Sequence, residues 1–131
     1  MTDAVIEANG NTMEEAFEYA AKGLCHTMIN VAAVEPKKEV IITAEGHDYY
    51  SLLFDWLDKV MLSLVADKFA LSEFIVKIAK NELFSVQATA RGEPLDLDKH
   101  GYKVEIKAVT YHEMEIMEDA TGARVKFLLD L

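Results

Sequence analysis

The chain has 131 residues, about half of them apolar, and a formal net charge of −10. That length suits one domain, spanning 1–131, with a single core. Such an acidic surface repels phosphate backbones, which argues against direct, stable nucleic-acid binding and suits cations or basic protein surfaces. No apolar run reaches the roughly 18 residues of a membrane span. The opening "MTDAVIEANG" has neither the basic start nor the apolar stretch of a secretory signal. The expectation is a cytoplasmic protein with no membrane association. The single cysteine, Cys25, sits at an apolar helical position and reads as a small buried hydrophobe in a reducing compartment.

In chain order, "DAVIEA" (3–8) is short and β-branched and reads as a first strand. "NTMEEAFEYAAKGLCHTMIN" follows, with a capping box from Thr12 to Glu15 and apolar residues at three- and four-residue spacing, so it reads as an amphipathic helix. Pro36 marks its exit, and "KEVIITAEG" (38–46) reads as a strand. "HDYYSLLFDWLDKVMLSLVAD" is the clearest helix. Asp48 is its expected N-cap, and Tyr49, Leu52, Trp56, Val60 and Leu64 lie along its apolar stripe. Ser63 is assigned to the opposite, polar face. "SEFIVKIA" (72–79) and "LFSVQATARG" (83–92) read as a hairpin, and "EPLDLDKHGY" (93–102) as a loop or short helical turn. "KVEIKAVTYHEMEIM" (103–117) reads as a long alternating strand. "ATGA" turns it into a last strand, "RVKFLLDL" (124–131). The fold class is α+β in the order β-α-β-α-β-β-β-β, with two helices on a mixed, largely antiparallel sheet.

The sequence lacks GxGxxG, GxxxxGK[ST], CxxC and GxSxG, and His26, His47, His100 and His112 do not fall at zinc-ligand spacing. No catalytic residue is assigned. Strict alternation along 103–117 puts His112 on the apolar face, provided no bulge intervenes, where a satisfied core histidine is the expectation. Lys107 falls on the polar face.

The two ends of the chain pose a separate question. Asp3 opens the first strand, and Asp130 stands one residue before Leu131 at the close of the last. If these strands lie side by side, Asp3, Asp130 and the Leu131 carboxylate converge. Two like charges about 4 Å apart cost roughly 4 kcal/mol at an effective dielectric near 20. Such a cluster needs a proton, a basic group or a metal, and hard oxygen ligands favour Ca²⁺ or Mg²⁺. The plainer alternative is a pair of solvated, frayed ends.

The pieces "TDAVIEANGNTMEEAFEYAA", "VEPKKEV", "SLLFDWLDKV", "ARGEPLDLDKHG", "EIKAVTYHEMEI" and "FLLDL", in this order and spacing, resemble the archease family along almost the whole chain. The resemblance implies a non-catalytic activator of the RtcB-type tRNA-splicing RNA ligase. It implies promotion of ligase guanylylation and of multiple turnover, and a broader use of nucleoside triphosphates. It also implies a divalent metal, calcium or another such as magnesium, held by Asp3, Asp130 and Leu131, and an activating lysine at Lys107. The family pattern carries a His-Thr pair before the first aspartate, where this chain has only Thr2. Two other readings stand beside this one. A general chaperone or adaptor would suppress aggregation without changing a ligase's chemistry. A metal-dependent hydrolase would need a general base that the sequence does not place.

Overall fold

The computed structural model describes residues 3–131. Strand β1 (Asp3–Gly10) leads into helix α1 (Met13–Met28), and a 3-10 turn (Val31–Ala33) leads to β2 (Lys38–Gly46). Helix α2 (Tyr49–Val65) is followed by β3 (Phe69–Lys80), β4 (Phe84–Pro94), the one-turn helix α3 (Leu97–His100), β5 (Ala108–Asp119) and β6 (Gly122–Asp130). The α+β class and the expected element order hold. The strands divide into two antiparallel three-stranded sheets, β1-β6-β5 and β2-β4-β3, in place of one mixed sheet.

Local chemistry accounts for the helices. The Thr12 hydroxyl accepts from the Glu15 amide at 3.1 Å, and the Glu15 carboxylate reaches back to the Asn11 amide rather than to that of Thr12. Asp48 caps α2 by accepting from the Ser51 amide at 2.8 Å, while Ser51 Oγ accepts from the Asp48 amide at 3.2 Å. Both helices touch both sheets and each other. Between them Phe17, Leu24, Trp56, Leu57, Phe127 and Leu129 are fully buried. Each such side chain is worth about 1.5–3 kcal/mol of burial. The Trp56 indole N–H is satisfied by donating to the Phe17 carbonyl at 3.0 Å. Cys25 is buried as expected, and burial pushes its thiol pKa up to about 12, so it is chemically quiet.

Five details depart from the sequence reading. Ser63 is buried, because its hydroxyl donates to the Phe69 carbonyl at 3.4 Å where α2 meets β3. Strand β3 begins at Phe69, three residues early, and β4 runs on to Pro94 at the strand's end, where a missing N–H costs least. Residues 102–107 are not strand, and β5 begins only at Ala108. His112 is exposed rather than buried. Five steps along β5 from Thr110 to Glu115 match two along β6 from Leu128 to Lys126, and this bulge breaks the alternation.

The buried histidine of this fold is His100, within the segment read as a polar loop or short helical turn. Its Nδ1 accepts from the Asp96 amide at 3.1 Å, so Nε2 carries the hydrogen and donates to Glu93 at 2.9 Å. Glu93 is itself buried and also accepts from the Glu35 amide at 2.9 Å and from Lys99 Nζ. This polar knot ties α3 and the end of β4 to the chain leaving α1.

Candidate functional site

Strand β6 is the middle strand of its sheet, with β1 on one side and β5 on the other. Alternation sends Val125, Phe127 and Leu129 into the core, which fixes the face that Asp130 takes. The register sets Asp3 directly opposite Asp130 on one side and Ala108 opposite Asp130 on the other. Directly opposed residues share a face, with Cβ atoms roughly 4.5–5.5 Å apart, and like charges so placed repel. Among the described residues neither carboxylate forms an ion pair.

Lys107 joins the same corner through its backbone. Its amide donates to the Asp130 carbonyl at 2.8 Å, while its side chain is exposed. The segment carrying it is held down at several points. Asn30 N–H donates to the His100 carbonyl at 2.7 Å, Lys103 N–H to the Met28 carbonyl at 2.8 Å, and Ile106 is buried. The Glu93–His100 knot secures the start of that segment. Leu131 is half-buried against the core, so this end of the chain is anchored rather than frayed.

The four residues singled out from sequence therefore fall at one corner: Asp3 and Asp130 as a cross-strand pair, Leu131 next along β6, and Lys107 bonded to Asp130 through the backbone. Among the described residues, no three His, Cys, Asp or Glu side chains come together as a metal cage. The corner offers the side-chain carboxylates of Asp3 and Asp130. That oxygen-only donor set fits a hard divalent cation, with water or a partner completing the shell. The repulsion of an opposed carboxylate pair is what a cation would relieve. Sequence reasoning passed over the Glu93, Lys99 and His100 knot and the bulge in β5. The Gly-Glu-Pro start of "GEPLDLDKHG" is visible in the sequence, but nothing local reports that its glutamate and histidine meet.

Over residues 1–131 the chain matches the model of the archease protein family (MTH1598/TM1083). It is 38% identical to protein archease of Methanopyrus kandleri over 130 residues, covering 98% of this chain and 93% of that one. It is 35% identical to protein archease of Pyrobaculum islandicum over 131 residues, covering 98% and 89%. The solution structure of Methanobacterium thermoautotrophicum protein 1598 superposes with a TM-score of 0.84 at 34% identity, covering 100% of this chain and 94% of that one. The chain belongs to the archease family.

Proposed function

We propose that this protein is a non-catalytic activator of an RtcB-type tRNA-splicing RNA ligase, promoting ligase guanylylation and multiple turnover and broadening nucleoside triphosphate use. Membership of the archease family supports the reading. The observation that carries it is the opposed pair Asp3 and Asp130, with the Lys107 amide closed onto Asp130. Asp3, Asp130 and the Leu131 carboxylate would hold a divalent cation, calcium or magnesium. When bound, that cation supplies positive charge to a triphosphate or to the ligase's own metal site. The chain's own contribution is placement. Asp130 stands on the central strand, anchored by Phe127 and Leu129 in the core, so the corner enters a partner as a rigid point. Lys107, whose amide bonds Asp130 and whose side chain is exposed, would bring a second positive charge to this corner. Residues 93–107 hold it there.

The test is multiple-turnover RNA ligation with GTP and divalent metal, with and without this protein. The expected result is a large rise in turnover and in guanylylated ligase, lost in Asp130→Ala while the variant keeps its fold. Normal activation by Asp130→Ala would sink the metal-corner mechanism. Aggregation suppression with no change in ligation would favour a general chaperone, and phosphatase activity of the protein alone would favour a hydrolase.

A further inference from the structure

The bulge in β5 takes no part in the mechanism above. It lies on the edge strand of the sheet that carries the Asp3–Asp130 corner, a few residues along β5 from Ala108, the residue that pairs with Asp130. Glu113, in its middle, has φ +56, a left-handed conformation that non-glycine residues rarely take within a strand. The distortion turns Tyr111 onto α2, where its ring stacks on Phe54 with centroids 4.4 Å apart and planes 8° from parallel. Tyr111 nevertheless stays 54% exposed, so one ring face is held by Phe54 and much of the rest is open to solvent. His112 and Glu113 are exposed beside it.

The strand that bears this aromatic carries charge of one sign. Strand β5 carries Glu113, Glu115, Glu118 and Asp119 and no lysine or arginine. Partial burial first, and then the negative charges of Asp48 and Asp55 from α2 and its cap, hold the Tyr111 phenol above the ordinary tyrosine range. Lys126 and Lys59 are already committed to Glu115 and Asp55.

We infer that the β5 bulge, centred on Tyr111, is a docking surface for a basic, arginine-bearing protein surface. A guanidinium stacks on an exposed aromatic face and pairs with carboxylates around it. A ring already fixed by stacking loses little entropy on binding, which is the character of an interface anchor. A phosphate backbone would be repelled by the same carboxylates. The competing account is that the bulge only blunts an exposed sheet edge against aggregation. That account needs neither an exposed aromatic nor a strand of one charge sign.

The inference rests on the proposed function for the choice of partner, the RNA ligase. Affinity is measured by calorimetry for the wild type, Tyr111→Ala, Tyr111→Phe and Asp130→Ala, with melting curves to confirm folding. Tyr111→Ala is expected to weaken binding about thirtyfold or more. Tyr111→Phe keeps the ring and should bind as the wild type. Added salt should weaken wild-type binding. Asp130→Ala should fail to activate even at concentrations that saturate the ligase. Wild-type affinity in folded Tyr111→Ala overturns the inference and leaves the metal-corner reading intact. Weak binding by Tyr111→Ala with full activation by Asp130→Ala does the reverse. No saturable binding by the wild type overturns both.

Discussion

The two sheets share antiparallel pairing throughout, and each has one irregularity; the contents of those irregularities differ. In β2-β4-β3 the extra residue is Ser72, between Leu71 and Glu73, and it is buried. Gly92 pairs with Leu71 there, so the backbones close up against each other. In β1-β6-β5 the irregularity, again on an edge strand, is larger and puts Tyr111, His112 and Glu113 into solvent. The first sheet uses its bulge to pack. The second spends backbone strain on displaying side chains, and it also brings Asp3 and Asp130 together. Strain that serves packing should be sensitive to added atoms, whereas strain that serves display should be relieved at little structural cost.

The largest expected effect breaks the packing sheet. A Cβ at Gly92 would come 1.7 Å from the Ala70 carbonyl oxygen and within 2.9 Å of the Leu71 Cα, both backbone atoms that cannot swing away. Gly92→Ala should destabilise the fold by about 3 kcal/mol or more, measured by urea unfolding. A loss under 1 kcal/mol would mean that the β3–β4 pair has slack and that the contrast between the sheets is overdrawn.

A smaller effect concerns the knot at the end of β4. The Glu35 amide first, then Lys99 and His100, hold the Glu93 carboxyl down at about 2. An unfolded glutamate titrates near 4.3. Because the folded value is the lower one, this stabilisation is fully present above pH about 4.3 and is lost as pH falls towards 2. Urea midpoints measured from pH 5 to pH 2.5 should fall for the wild type, and Glu93→Gln should flatten part of that fall. Equal slopes would show that Glu93 is not the linked group.

These contrasts also mark how far sequence reaches. Helix α2 was legible because its stripe repeats at helical period and Asp48 sits where a cap belongs. Strand β2 was legible to the residue for a similar reason, an apolar run ended by glycine. The division into two sheets was not, since no local pattern says that β1 pairs with β6 rather than β2. His112 and His100 exchange their expected places for a related reason. A three-residue slip in β5 reverses the alternation downstream, and His100 is held by a partner as distant in sequence as Asn30, whose amide donates to its carbonyl. Asp3 and Asp130 were visible as residues, but their pairing depends on the terminal strands meeting.

The smallest effect sharpens the comparison most. Among the described residues, two non-glycine residues have positive φ, Lys68 at +55 and Glu113 at +56. Lys68 lies just beyond α2, where the Asp67 amide closes on the Leu62 carbonyl, an ordinary way for a helix to end. Glu113 lies inside a strand, where no such turn calls for it. Glycine removes the left-handed penalty at either site and adds back unfolded-chain entropy. Lys68→Gly and Glu113→Gly should each therefore stabilise the fold by about 0.5–1 kcal/mol, measured by urea unfolding. Their effects on partner affinity should part. Lys68→Gly should leave ligase binding unchanged, whereas Glu113→Gly loosens the segment that presses Tyr111 onto Phe54 and should weaken it by a few-fold. Equal affinities for the two variants would make the positive φ at Glu113 a packing accident like any other, and would leave display as the property of the Asp3–Asp130 corner alone.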